Sequence, residues 1–343
     1  MELESSVPPE VLHQFGLPYN IRVSPLGTGH IHTTLLVQGA APQKVLQRIN
    51  TSVFRHPEAI AHNLRMVGAY LAQHHPGYFF LNPLPTRTGG AVATDNQQQV
   101  WRLLPFVADS VTLQEIESPE QAYEAARGFG EFARNLDGLH PAELQPTIRR
   151  FHDLSWRYEQ FETALAQTEP SLARLAKNEI ASAQAFQPLV HEYEGLIRSG
   201  RLPLRVTHND TKINNVLFDR LTGRVKCVID LDTLMPGYFI YDLGDLVRTC
   251  VCPVSEDETD LSKITIRTDV YDALVAGYLE PMADRLTEDE KKTIPFAGKM
   301  MTYIMALRFL ADHLNGNVYY KVKHPLHNLE RARNQLALLT KLA

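Results

Sequence analysis

The sequence predicts an α+β chain of two lobes: a small antiparallel β-rich N-terminal lobe with one main helix, and a larger, mostly helical C-terminal lobe. Three observations predict it. Strand-type runs separated by glycine-containing turns fill residues 20–104, helical periodicity dominates beyond residue 107, and one β-type island interrupts the helices between residues 205 and 229. At 343 residues the chain is too long for one ordinary core. The expected lobes are 1–106 and 107–343.

Asn20 to Leu26, Ile31 to Gln38 and Lys44 to Ile49 read as a meander of strands. A helix follows the turn-forming His56-Pro57, because Ile60, Leu64, Val67 and Leu71 recur at helical spacing. Tyr78 to Leu84, Ala91 to Thr94 and Gln99 to Leu104 read as further short strands, and the pattern changes at Pro105-Phe106-Val107. Helices are expected near 119–138, 151–167, 171–199, 265–283, 287–315 and 326–342. The island consists of Arg205-Val206, Val216 to Phe218 and Arg224 to Ile229, with the turn residues Leu221-Thr222-Gly223 before the last run. There is no internal repeat.

A hydrophobic share of 44% with 21% charged residues is that of a chain that folds along its whole length. The net charge of −5 offers no basic field for a polyanion, which excludes nucleic acid as the expected partner and favours a small ligand. Three cysteines, Cys227, Cys250 and Cys252, form neither an even set nor a zinc pattern, and read as free thiols in a reducing compartment. The first residues, MELESSVPPE, are acidic and polar where a secretory leader is basic and apolar, and no later run approaches the ~18 apolar residues of a membrane span. A cytoplasmic chain, off the membrane and monomeric, is the expectation.

Chemistry concentrates in residues 206–245. His208-Asn209-Asp210-Thr211-Lys212-Ile213-Asn214-Asn215 fits H-x-D-x-K-x-x-N, the form of a kinase catalytic loop. Fifteen residues past Asn215, after a hairpin's length of chain, Asp230 ends the apolar run Val228-Ile229, where a second metal-binding carboxylate belongs. Phosphoryl transfer asks mainly for in-line positioning and neutralisation of phosphate charge. Asp210 suits the base that accepts the proton of the attacking hydroxyl. Asn215 and Asp230 offer hard oxygen ligands to Mg²⁺, and Lys212 can offset charge on the transferring phosphate. A lone H-x-D is usually a surface turn. The spacing to Asp230 and the β-rich region upstream make the kinase reading the stronger one.

Gly27-Thr28-Gly29-His30 sits at a strand–strand turn, where glycines would let backbone amides approach phosphates, although a plain turn reads the same way. No helix follows it at once, which excludes a dinucleotide-binding or Walker loop. Asp242-Leu243-Gly244-Asp245 reads as the start of a helix that caps itself and braces the catalytic loop. Arg308, among Met301, Ile304, Met305, Leu307 and Leu310, must turn out to solvent or find a polar partner.

His208, Asp210 and Asn215, followed by Ile229-Asp230-Leu231, resemble the hallmark of the phosphotransferase family that includes aminoglycoside, choline and homoserine kinases. The resemblance implies a protein-kinase-like fold with ATP and Mg²⁺ as cofactors. The stretches GTGHIHTT (27–34), LRVTHNDTKINNVLFD (204–219), VIDLDTLMPG (228–237) and MALRFLADHLNGNVYY (305–320) are similar to the branch that phosphorylates N-acetylhexosamines at C1. That similarity implies the sugar 1-phosphate as product, with nucleotide contacts at Gly27, Thr28 and Gly29. It also implies sugar contacts at His30, Asp210, Asp232, Arg308 and Tyr319. Another sugar, N-acetylmuramate, an amino alcohol or an aminoglycoside is the alternative acceptor, and a nucleotide-binding pseudokinase is a further one. Against the wider family, Gln47 stands where the phosphate-clamping lysine belongs, and Arg65 stands where its glutamate partner belongs.

Overall fold

The computed structural model describes residues 7–27, 31–39 and 42–343. In chain order its elements begin with α1 (Pro9–Phe15), β1 (Arg22–Pro25), β2 (Thr33–Gln38), β3 (Lys44–Arg48), α2 (Pro57–His74), β4 (Ala93–Thr94), β5 (Val100–Pro105) and β6 (Ser110–Val111). Next come α3 (Pro119–Asn135), α4 (Leu154–Gln167), α5 (Pro170–Leu175), α6 (Lys177–Ala185), α7 (Pro188–Arg198), β7 (Arg205–Thr207), β8 (Val216–Asp219), β9 (Val225–Val228) and β10 (Met235–Gly237). The chain closes with α8 (Phe239–Cys250), α9 (Thr268–Met282), α10 (Glu288–Lys292), α11 (Ile294–Leu314) and α12 (His327–Leu342). These elements fall into two units. One runs up to Val111 and takes in Gly138–Ile148 and Leu217–Pro236; the other comprises Thr112–Asp137, Arg149–Val216 and Gly237–Ala343.

In the first unit, five antiparallel strands pair in the order β1-β2-β3-β5-β4. Strand alternation gives the sheet two different faces. Leu35, Leu46 and Leu103 are register partners on one face and are buried with Val11, Leu12 and Phe15 of α1. Thr34, Gln47 and Arg102 are partners forming a polar row on the other face, beside the apolar row Leu36, Val45 and Leu104. Helix α1 was not legible beforehand, because seven residues carry too little periodicity to declare themselves. Helix α2 opens with Pro57 at its first turn and buries Ile60, Leu64, Val67 and Leu71 as the spacing predicts. The strand expected over Tyr78 to Leu84 reduces to a single bridge between Leu84 and Leu103. Pro83 and Pro85 flank that bridge without an N–H to extend the ladder.

The second unit is helical around α11, which is buried on all sides. Glycine sets the approach of its helices. A Cβ on Gly277 would lie 2.2 Å from Tyr123 O, bringing α9 against α3, and a Cβ on Gly244 would lie 2.4 Å from Ala297 O, bringing α8 against α11. The single helix expected over 171–199 is three, and Pro188, with no N–H to continue the preceding turn, opens the last of them. Likewise 287–315 divides before Pro295, after a capping box between Thr287 and Glu290 opens α10. No helix among the described residues is long and apolar enough to cross a membrane.

Candidate active site

The loop after β7 is shaped by one carboxylate behind it. Asp242, in the first turns of α8, accepts the N–H of His208 at 3.0 Å and of Asn209 at 2.7 Å, and Thr211 Oγ1 donates to the Asp242 carbonyl at 2.6 Å. Asp242 thus braces the loop as expected, from inside the helix rather than as its cap. Burial pushes its carboxyl up to about 6, although the amides it accepts favour the charged form. Asn209 turns the chain at φ 65, a left-handed conformation that asparagine tolerates better than most residues. Its amide exchanges hydrogen bonds with Thr207, and its carbonyl accepts His152 Nε2 at 2.7 Å. Burial, with Arg308 and Arg157 nearby, lowers the His152 imidazole to about 3, so it donates as a neutral ring. His208 packs edge-on to Phe129 and Phe132, and its Nδ1 accepts the Asp210 N–H at 3.2 Å.

Asp210 follows with its carboxylate held at both oxygens. Asn215 Nδ2 donates to Oδ2 at 2.9 Å and to the Asp210 carbonyl at 2.7 Å, while Lys212 Nζ lies 3.1 Å from Oδ1. Because the Asn215 amide nitrogen is turned to Asp210, its Oδ1 is the atom that can serve a hard cation. The Asp210 side chain keeps 22% of its surface exposed, enough for a substrate hydroxyl to reach it.

In the first unit, β9 leads into Asp230, also left-handed at φ 58, and then the 3₁₀ turn Leu231–Thr233. Asp232 in that turn is 1% exposed, with both carboxylate oxygens engaged by Arg102 and with His32 Nε2 2.7 Å from Oδ2. Burial alone would raise the Asp232 carboxyl, but Arg102 and His32 outweigh it and hold it at about 2. His32, Asp230 and Asp232 present possible ligand atoms within 4.8 Å of one another. His32 does not fit a metal there: its Nδ1 accepts the Asn50 N–H at 3.0 Å, so the proton sits on the Nε2 that faces Asp232. The oxygen chemistry of Asp230 does fit Mg²⁺.

A second cluster lies in the helical unit. The Arg308 guanidinium stands 5.2 Å from the centre of the Phe151 ring, 5.9 Å from Tyr319 and 5.5 Å from Tyr320. Arg157, bonded through Nε and Nη2 to the Phe151 carbonyl, is lowered to about 10 by burial and by Arg308. Asp312 places Tyr319 by accepting the N–H groups of Val318, Tyr319 and Tyr320 at 3.0, 2.8 and 3.0 Å. Phe151 and His152 are adjacent, so one step of chain links this cluster to the Asp210 loop.

Of the residues singled out in the sequence, Asp210, Lys212 and Asn215 form one constellation, and Arg308 and Tyr319 form another in the same unit. Asp230 and Asp232 share one turn. Gly27 sits at φ 74 with no described residue within 4 Å of where a side chain would begin, while Thr28, Gly29 and His30 lie outside the described residues. The sequence reading did not single out Arg102, His32 or Asp312. Arg102 had a signal, a charged residue inside the apolar strand VWRLLP.

The profile of the phosphotransferase enzyme family matches residues 22–286. Among solved structures, the chain is similar to a microcompartment-associated aminopropanol kinase, at TM-score 0.70 and 18% identity over 96% of this chain and 95% of that one. It is similar to an amicoumacin kinase solved with AMP-PNP and Ca²⁺, at TM-score 0.61 and 14% identity over 94% and 89%. It is also similar to a spectinomycin phosphotransferase solved with ADP and spectinomycin, at TM-score 0.59 and 12% identity over 97% and 96%. At such identities these likenesses show a shared fold, an antiparallel sheet region with a larger helical part. The profile match spans well over half of the chain and contains both the Asp210 loop and the Asp230 turn, and the chain belongs to the phosphotransferase enzyme family.

Proposed function

We propose that this chain is an ATP- and Mg²⁺-dependent kinase that phosphorylates the anomeric hydroxyl of N-acetylglucosamine or N-acetylgalactosamine, with Asp210 as the base. The observation that carries the kinase reading is the Asp210 carboxylate, aimed by Asn215 and Lys212 on a loop tied to Asp242. In this reading Asp210 takes the proton of the acceptor hydroxyl as its oxygen attacks the γ-phosphorus. The new O–P bond forms while the bond to the β–γ bridging oxygen breaks, and ADP departs with that electron pair. Lys212, beside the base, offsets charge on the phosphoryl oxygens. Asn215 through Oδ1 and Asp230 through a carboxylate oxygen take the metal-holding roles their motif positions imply, and Mg²⁺ supplies charge neutralisation of the phosphates when bound. Amides of the Gly27-Thr28-Gly29 turn are assigned to the phosphates.

The acceptor assignment rests on the two long motifs, THNDTKINN and IDLDTLMPG, and is supported by the chemistry around Arg308. Two guanidinium groups, Arg308 and Arg157, beside the Tyr319 and Phe151 rings favour an acceptor rich in hydroxyl and acetamido oxygens. They disfavour a cationic amino alcohol or aminoglycoside. His30, Arg308 and Tyr319 are the assigned sugar contacts; Asp232, expected among them, is 1% exposed with both oxygens engaged by Arg102 and His32, and leaves that set. The test is ADP release with ATP and Mg²⁺ across N-acetylglucosamine, N-acetylgalactosamine, glucose, galactose, aminopropanol, choline, homoserine and kanamycin, with ³¹P NMR of the product. Turnover of N-acetylhexosamines with phosphorus coupled to the anomeric proton supports the reading. Turnover of a different acceptor alone retains the kinase and removes the N-acetylhexosamine. Nucleotide binding without turnover of any acceptor would mean a pseudokinase.

A further inference from the structure

The family's lysine and glutamate positions are occupied here by Gln47 and Arg65, which raises the question of what does their work. Arg65 is exposed on α2, its guanidinium 3.3 Å from His62 Nδ1. Arg48 lies across the Trp101 ring, on the apolar face of the sheet, and donates to Gln99 and Thr33. Neither is bonded to Gln47 or Asp232 in these contacts.

Arg102 is bonded to both. It is the direct cross-strand partner of Gln47, so the two side chains share one face. Gln47 Nε2 donates to Thr34 Oγ1 at 2.9 Å, which turns its Oε1 to accept Arg102 Nε at 2.8 Å and Nη2 at 2.5 Å. Both terminal nitrogens of Arg102 then grip the two oxygens of Asp232. The side chains are 5% and 1% exposed. A pair buried so deeply gives little net stability over an apolar pair of the same size, and what its forked geometry does supply is a fixed direction. Two residues before Asp232, Asp230 holds a left-handed backbone that persists only where the surroundings over-determine it. On the far side of the same turn, Asn63 Nδ2 donates to the Leu234 carbonyl at 2.8 Å.

We propose that Arg102, gripped between Gln47 and Asp232, replaces the absent lysine–glutamate pair as a positioning residue: it fixes the turn that presents Asp230 to the metal of the nucleotide. Asp232 acts through this grip, with both of its oxygens committed to it. The inference rests on the kinase reading, in which Asp230 holds the metal.

The experiment compares wild type with Arg102→Met, Arg102→Lys and the charge-free double variant Arg102→Met/Asp232→Leu. Three quantities are measured: melting temperature, the Mg²⁺ dependence of the thermal shift produced by AMP-PNP, and kcat with the acceptor KM. The Mg²⁺ midpoint is expected to rise about 10-fold or more in Arg102→Met with kcat falling, as for residues that orient a metal ligand, while the acceptor KM stays within about twofold. Lysine, without the fork, restores only part of this. The double variant is expected to regain melting temperature and not the Mg²⁺ midpoint, and if Arg102→Met fails to fold, it and Arg102→Lys decide the matter. An unchanged midpoint in every folded variant, or a double variant that recovers both, overturns the role of Arg102. A wild type with neither a Mg²⁺-dependent AMP-PNP shift nor turnover instead sinks the kinase reading, and this inference with it.

Discussion

The loop that carries Asp210 and the turn that carries Asp230 both bend through a non-glycine residue in the left-handed region, Asn209 at φ 65 and Asp230 at φ 58. They are held in opposite ways. The Asp210 loop gives backbone N–H groups to a carboxylate on a neighbouring helix, Asp242, whose charged form the loop's own His208 favours without overcoming burial. The Asp230 turn carries its own carboxylate, Asp232, and a buried arginine closes on it. Burial raises both carboxyls, but only at Asp232 does a cation reverse the effect. Amide donors set the course of a backbone, whereas a forked ion pair fixes one side chain against another element.

The contrast can be broken most forcefully at Asp210. Asp210→Asn should lower kcat by about 100-fold or more while calorimetry shows acceptor binding nearly unchanged. Retention of more than about a tenth of wild-type kcat would remove Asp210 from the role of base. Next in size is the support behind the loop. Gly244→Ala places a methyl 2.4 Å from Ala297 O on the helix that bears Asp242, and should cost about 1–3 kcal/mol or more. Gly195→Ala, in α7 with nothing within 4 Å, serves as its control and should raise the melting temperature or leave it alone.

Asn209→Ala tests the bend itself. It should destabilise by about 1–2 kcal/mol from the left-handed backbone alone, and by more with the Thr207 hydrogen bonds lost. Asn209→Gly, which accepts φ 65 freely, should cost less, and equal losses would show that the bend carries no strain. The smallest effect expected is on pH dependence. With Asp242 at about 6 against an ordinary 3.8, the folded state keeps its proton longer, so stability from this group is full below 3.8 and lost as pH rises through about 6. Asp232, held at about 2, behaves in reverse: its contribution is present above 3.8 and lost only as pH falls toward 2. Activity that depends on an ionised Asp242 should therefore drop severalfold below about pH 6, with the Asp230 turn untouched there. Asp242→Asn should remove that inflection, and its persistence in the variant would assign the titration to another group.

Much of the site could be read in one dimension because its motifs are local. His208, Asp210, Lys212 and Asn215 lie within eight residues, and their spacing is set by one turn of chain. The family resemblance drew on the same segments. The helix breaks at Pro188 and Pro295 were written in the sequence, and periodicity alone overran them. Arg102 was visible as a misplaced charge, but its partner is 130 residues away and could not be named.

What the sequence determined by itself was the order and type of the main elements, from the period of apolar residues, and the identity of the loop chemistry, from types at fixed spacing. Only the tertiary structure decided which groups hold those loops: Asp242 for one, Arg102 and His32 for the other, Asp312 for the strand of chain that bears Tyr319. It also decided that segments 138–148 and 217–236 join the first unit. The physical reason is range. Periodicity and turn chemistry act between near neighbours in the chain, whereas a buried charge is satisfied by whatever the fold brings within hydrogen-bonding distance.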